Sequence, residues 1–190
     1  LSLPVPRPAV AAPRAAVAAA AAGCAALTAR PLLLGIAGAG PGPVLGTLFV
    51  VLLAVSVVWP GTDHPHPGVR AVPVLALGIG AFAVGRLLAA GSPPPVTATA
   101  FVIGLNTLAA VAEEAFFRRL VYGALLAGGP VLAVGGSALL FAAVHVTVYG
   151  LWVLPLDLAA GLLLGWQRHV TGSWVVPAAT HSVANLLVVL

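Results

Sequence analysis

Glu113 and Glu114 stand side by side in a 190-residue chain whose only other acidic residues are Asp63 and Asp157. The stretch from Leu87 to Ala112 that leads into them carries no charge. An ionisable group inside an apolar helix costs about 2.5–3.5 kcal/mol to insert, so its first reading is functional. On a helix Glu114 reaches Arg118 one turn further on. Glu113 points about 100° away, toward a different neighbour. One carboxylate is then neutralised locally while the other stays available for chemistry. His145 lies in a second apolar run, and His181 and Asn185 lie one turn apart on a third.

The reactions open to such a set are few. Ser137 and Ser182 have no glycine elbow, and Cys24 is remote in sequence, so no nucleophile pair is evident. A glutamate and a histidine together can activate a water, as base and then as acid. A second histidine and an asparagine amide can stabilise the oxyanion formed when water attacks an amide. Alternatively, Glu113, His145 and His181 form a familiar zinc-ligand set with one position open for water. Either route hydrolyses a peptide bond in a water-accessible pocket within a membrane. Each residue also has a plainer reading. The glutamates could serve only as ion-pair partners of Arg118 and Arg119, and His145 could be a satisfied core histidine. His181 with Asn185 could be interhelical glue. Asp157 reads as the cap of a helix broken by Pro155. Phe116, Phe117 and Phe141 read as packing, and so does Cys24. His64 and His66, set between prolines, read as solvated loop residues.

The elements that must position these groups are membrane spans. The chain is 61% hydrophobic and 6% charged, against about 25% charged residues in a soluble domain. The expected fold is an all-α polytopic transmembrane bundle of about seven helices. Residues 1–14 read as a non-helical tail, 15–95 as amino-terminal transmembrane helices, and 96–190 as a catalytic core. Expected spans cover Ala15–Ala29, Val44–Trp59, Ala71–Ala90, Val96–Leu126, Val131–Tyr149, Leu151–Gln167 and Trp174–Leu190, with Arg168–Ser173 as a polar loop. With Gly129 as the turn of a hairpin, Glu113 lies 16 residues before it and His145 lies 16 after it. At about 1.5 Å of rise per residue, the two reach the same depth on neighbouring helices. The net charge of +4 comes from arginine alone. The arginines are too dispersed for a nucleic-acid surface and read mainly as membrane-edge anchors, joined by Trp152, Trp166 and Trp174. Counted as topology signals, Arg7, Arg14, Arg70, Arg118, Arg119 and Arg168 fall on one side and Arg30 and Arg86 on the other, which places the amino terminus in the cytoplasm. The chain begins at Leu1 and holds no methionine, which suits a fragment as well as an unusual start.

Three motifs in order carry a resemblance: Glu113-Glu114-x-x-x-Arg118, Phe141-x-x-x-His145 and His181-x-x-x-Asn185. The second half of the chain resembles the CAAX-protease and bacteriocin-processing family of intramembrane proteases. Gly161-Leu-Leu-Leu-Gly165-Trp166 and Thr171-Gly-Ser-Trp174 are similar to its prokaryotic members, which implies a prokaryotic cell membrane as the location. The resemblance implies that Glu113 activates water with His145, that Glu114 assists or is held by Arg118, and that His181 and Asn185 form an oxyanion pocket, with these five as the catalytic residues. It implies a membrane-anchored protein or peptide substrate, and leaves open whether a divalent metal such as zinc takes part. Two rival readings remain: a non-enzymatic protein of the same fold, acting in bacteriocin self-immunity or as a scaffold, and a small transporter or proton relay.

Overall fold

Apolar runs of this length leave the backbone no solvent partner in a membrane, so its hydrogen bonds must close within each segment. A computed structural model describes residues 13–36, 38, 40–59, 63–66, 68–88 and 98–189, and all its regular elements are helical. They are α1 (Pro13–Thr28), α2 (Arg30–Ile36), α3 (Pro41–Val58), α4 (Ala71–Leu88), α5 (Ala100–Glu114), α6 (Tyr122–Leu125), α7 (Pro130–Tyr149), α8 (Leu154–Thr171) and α9 (Val175–Val189). A π-helical segment, Ala115–Val121, joins α5 to α6, so Ala100–Gly128 runs on as one long helix. Four helices are long and apolar enough to cross a membrane, and the bent pair α1–α2 makes a fifth. With α8 and the shorter apolar α9 also in the bundle, the expected number of about seven is close. The proposed tail lies outside the described residues up to residue 12, and α1 already begins at Pro13.

Helix boundaries follow local chemistry. Pro41 and Pro130 sit at helix starts, where a missing N–H costs nothing, so α3 begins before Val44. The Thr99 hydroxyl caps α5 by accepting from the Val102 amide at 3.2 Å. Pro155 lies in the first turn of α8 and so starts that helix instead of interrupting it. The loop expected at Arg168–Ser173 is shorter than expected: α8 continues through Thr171 and ends on Gly172, whose φ of 67° is the left-handed stop that glycine tolerates.

In the bundle α5 lies between α3 and α9, α4 packs on α9, and α7 runs along α8. Two glycines one turn apart make that last contact close. A Cβ on Gly161 would meet Ala138, and one on Gly165 would meet Val134, so the α7 and α8 backbones touch where a larger residue would separate them. The most buried cluster gathers Leu27, Phe49, Phe116, Phe117, Leu120 and Phe141, with half-buried Cys24 packed against it. Phe116 fills the space left by Gly23 on α1. This cluster sits directly beside the glutamate pair and fixes the helices that carry the chemistry.

Four arginines do not act as membrane-edge anchors. Arg30 and Arg118 are buried and pair with glutamates. Arg119 donates to the Ser56 and Val57 carbonyls at the end of α3, at 2.5 and 2.6 Å. Arg168 is buried, pairs with Asp63 at 3.0 Å, donates to the Arg118 carbonyl at 2.9 Å and lies over the Tyr122 ring. Carbonyls left over at a helix end, and carboxylates in apolar surroundings, bind these cations better than the membrane edge does. The arginine count therefore no longer supports a topology. Asp63 sits in a short segment docked on the α8–α9 turn, where the His64 and His66 amides donate to the Gly172 and Thr171 carbonyls. His64 and His66 are themselves exposed, as expected of loop residues.

Candidate active site

The helical rotation between adjacent residues sends the two glutamates to different neighbours. Glu113 turns toward α7 and lies 3.8 Å from His145, measured from Oε2 to Nε2. The equal count of residues on either side of Gly129 thus corresponds to side chains that meet. Glu114 turns toward α9, where His181 Nδ1 donates to its Oε1 at 3.0 Å. Its Oε2 lies 3.3 Å from Arg118 Nε, an ion pair without hydrogen-bond geometry. Arg118 is fully buried and also reaches the Gly161 carbonyl at 3.4 Å, with its guanidinium 5.0 Å from the Phe141 ring centroid.

Phe141 does more than fill space. Its carbonyl accepts from His145 Nδ1 at 2.7 Å, and its ring lies against the imidazoles of both His145 and His181. A carbonyl can only accept, so Nδ1 of His145 carries a proton, and in the neutral form of the ring Nε2 is bare. That bare nitrogen faces the Glu113 carboxylate. Two acceptors 3.8 Å apart cannot bond each other. A water between them can donate one proton to each, leaving its lone pairs free.

These groups line one end of a cavity of about 740 Å³, within the size range of small-ligand sites. Glu113, His145, His181 and Asn185 all face it, while Glu114 does not. The remaining wall is mostly apolar and includes Leu45, Phe49, Leu105, Trp152 and Val188. Asn185 is half-buried and spends one amide proton on the Asn106 carbonyl at 3.4 Å, so the other is unspent. His181, with Nδ1 turned to Glu114, has only Nε2 and ring carbons left for the cavity.

Sequence reasoning missed three members of the site. Arg30 donates from Nη1 to Glu113 Oε1 at 3.3 Å, with both side chains almost fully buried. Asp157 places Oδ2 3.7 Å from His145 Nδ1, so this histidine has a carboxylate on each ring nitrogen. The capping role expected for it is not seen: α8 starts with no side-chain capping hydrogen bond, and Asp157 lies in its first turn. Tyr149 stacks on the His145 ring, nearly parallel at 8° and 5.9 Å between centroids, and lines the cavity. One signal was present for Asp157: an acidic residue in an apolar run. For Arg30 the local pattern argued the other way, since it borders an apolar stretch like an edge anchor.

The zinc set was tested against this geometry. Among the described residues no three His, Cys, Asp or Glu side chains are placed to share a metal ion. In the set Glu113, His145 and His181, both histidines spend Nδ1 on oxygen acceptors and keep only Nε2 as a possible ligand atom. As placed, these three side chains do not converge on one ion.

Residues 95–187 match the family described as type II CAAX prenyl endopeptidase, Rce1-like. The second half of this chain belongs to that family. No curated protein and no solved structure matches the chain. The matched stretch holds all three motifs, from Glu113 to Asn185, and the fold is that of a CAAX-type intramembrane protease. Its apolar helices make the protein an integral membrane protein whose surroundings are the lipid bilayer. Arg30, in contrast, comes from the half outside the CAAX-endopeptidase match.

Proposed function

We propose that the protein is an intramembrane endopeptidase that hydrolyses a peptide bond of a membrane-anchored protein or peptide with a water activated by Glu113 and His145. The observation that carries this is the facing pair of acceptors, Glu113 Oε2 and the bare His145 Nε2, 3.8 Å apart at the cavity wall. Glu113 takes a proton from the water as its oxygen bonds to the carbonyl carbon. The carbonyl π electrons move to oxygen, where the unspent Asn185 amide proton and, with the ring charged beside Glu114, His181 Nε2–H receive the charge. Collapse of the intermediate breaks the C–N bond, and the proton returns to the leaving amine through Glu113 and His145. Glu114 and Arg118 take no part in these transfers. They hold His181 in place from the side away from the cavity.

The mostly apolar wall suits a substrate presented from the bilayer, and a prenylated carboxy-terminal peptide is the substrate that the family's description names. The test is cleavage by purified protein in lipid nanodiscs, on membrane-tethered peptides with and without a prenyl group. Cleavage that is lost in both Glu113→Gln and His145→Ala, with each variant still folded, supports the reading. Cleavage that survives Glu113→Gln refutes it.

A further inference from the structure

The sequence Arg30-Pro31 builds an elbow. In a continuous helix the N–H of residue 31 would donate to the carbonyl of Leu27, but proline has no N–H and its ring clashes with that carbonyl. The helix bends there by 55° between α1 and α2. The Leu27 carbonyl is left without its helical donor, and Arg30 Nε supplies one at 3.0 Å. The same guanidinium then projects Nη1 onto Glu113 Oε1 at 3.3 Å, across 83 residues of chain. Its third nitrogen, Nη2, is buried with no partner. The fork is thus held at its root by the bend and aimed at the base by geometry, and Arg30 itself faces the cavity. Beyond Arg30, α2 contributes little to the interior: Leu32 and Ile36 are exposed. What α2 brings to the bundle is chiefly this one cation.

We infer that Arg30 is a positioning residue for the hydrolysis, holding Oε1 of Glu113 so that Oε2 alone is presented to the water and His145. This inference rests on the peptidase reading. A carboxylate has two equivalent oxygens and a free χ3 rotation, so an unheld glutamate divides its time among orientations. With Oε1 engaged by Arg30 and Oε2 turned to His145, one orientation remains. The cation has a second effect. When Glu113 takes up the proton, negative charge leaves its carboxylate and appears on the substrate oxygen a few ångströms away. A fixed guanidinium beside the path neutralises both ends without reorganising, which is the kind of preorganisation that lowers a barrier. The amino-terminal helices, outside the family match, would then supply part of the active site.

The test uses the full chain in nanodiscs with a peptide that the wild type cleaves. Arg30→Ala is expected to lower kcat by about 100-fold, the usual scale for losing one preorganised charged donor, with KM little changed. Arg30→Lys should keep a larger share of kcat, since it retains the charge but not the fork. Free guanidinium ion should restore part of the kcat of Arg30→Ala, where the same concentration of sodium ion does not. Pro31→Ala, which lets the helix run straight while leaving Arg30 in place chemically, should lower kcat in the same direction. A residue that merely pinned the elbow would show no recovery with guanidinium, and that result overturns the inference. So does an unchanged kcat in Arg30→Ala. A thermal-stability cycle of Arg30→Ala, Glu113→Gln and the double variant reads the pair without turnover. An additive cycle means the two do not interact and also overturns the inference. A coupled cycle in a wild type that cleaves no peptide overturns the peptidase reading, and Arg30's role in hydrolysis with it, leaving only a structural pair.

Discussion

Arg118→Met is the perturbation whose cost can be worked most fully from the structure. The guanidinium is completely buried, 3.3 Å from Glu114, and near the faces of Phe141 and Phe117 at 5.0 and 5.8 Å. Methionine fills much of the same volume, so the main loss is charge. Stranding a buried carboxylate by removing its partner costs about 3–5 kcal/mol. Loss of the desolvated cation–π contacts adds about 1–2 kcal/mol. His181 stays bonded to Glu114 at 3.0 Å and can take up part of the charge, which draws the first term to its lower end. The sum is about 4 kcal/mol, a large part of the stability of a typical domain. The second change, Glu114→Gln in the same chain, removes the stranded charge, so the double variant should recover most of the first term. Unfolding in mixed micelles, followed by circular dichroism as denaturing detergent is titrated in, reads both. A loss below about 1 kcal/mol, the range of exposed pairs, would refute the reasoning. A double variant no more stable than Arg118→Met would refute it as well.

Glu113→Gln and His145→Ala should each abolish peptide cleavage while leaving the melting transition cooperative, checked by product analysis and thermal scans on the same samples. Asp157→Asn should lower kcat about tenfold, equivalent to about 1.4 kcal/mol, because the positive ring that His145 passes through loses the carboxylate at its Nδ1. An unchanged kcat would remove Asp157 from the site. Treatment with a strong chelator should leave the turnover rate as it was, and a loss that zinc restores would overturn the metal-free scheme. In the loop, burial pushes the Asp63 carboxyl above its usual range, and Arg168 opposes that only in part. A carboxyl raised in the folded state makes its contribution at low pH and loses it as pH rises through the folded value. Asp63→Asn, which also takes the carboxylate from buried Arg168, should therefore cost less stability at neutral pH than at low pH, a comparison that melting curves on both sides of pH 5 can check.

Much of this site was legible because membranes make charge expensive. Glu113, Glu114, His145, His181 and Asn185 stood out as polar groups in apolar runs, and antiparallel counting brought Glu113 to His145. The opposed directions of the two glutamates followed from helical rotation alone. Arg30 was not legible, because its partner is 83 residues away and its neighbours imitate a membrane edge. Arg168 was taken for a loop residue for a similar reason: the partners that bury it, Asp63 and the Arg118 carbonyl, belong to other elements. The π segment gave no local warning either. Ala-Phe-Phe-Arg-Arg-Leu-Val satisfies ordinary helix propensity, and the partners of Arg118, Arg119 and the phenylalanines lie on other elements.

That widened segment, Ala115–Val121, amounts to an extra residue threaded into a helix. The parts before and after it are out of phase. The upstream part delivers Glu113 to the cavity and Glu114 to His181. The downstream part delivers Tyr122 to His169, its hydroxyl 3.2 Å from Nδ1. Deleting any one residue from this stretch would let the chain relax into a regular helix and turn one part about 100° against the other. Either the carboxylates or the Tyr122 contact would then face the wrong neighbour, although every side chain named in the chemistry would still be present. In this protein the number of residues between Glu114 and Tyr122 is as much a determinant of the site as their identity.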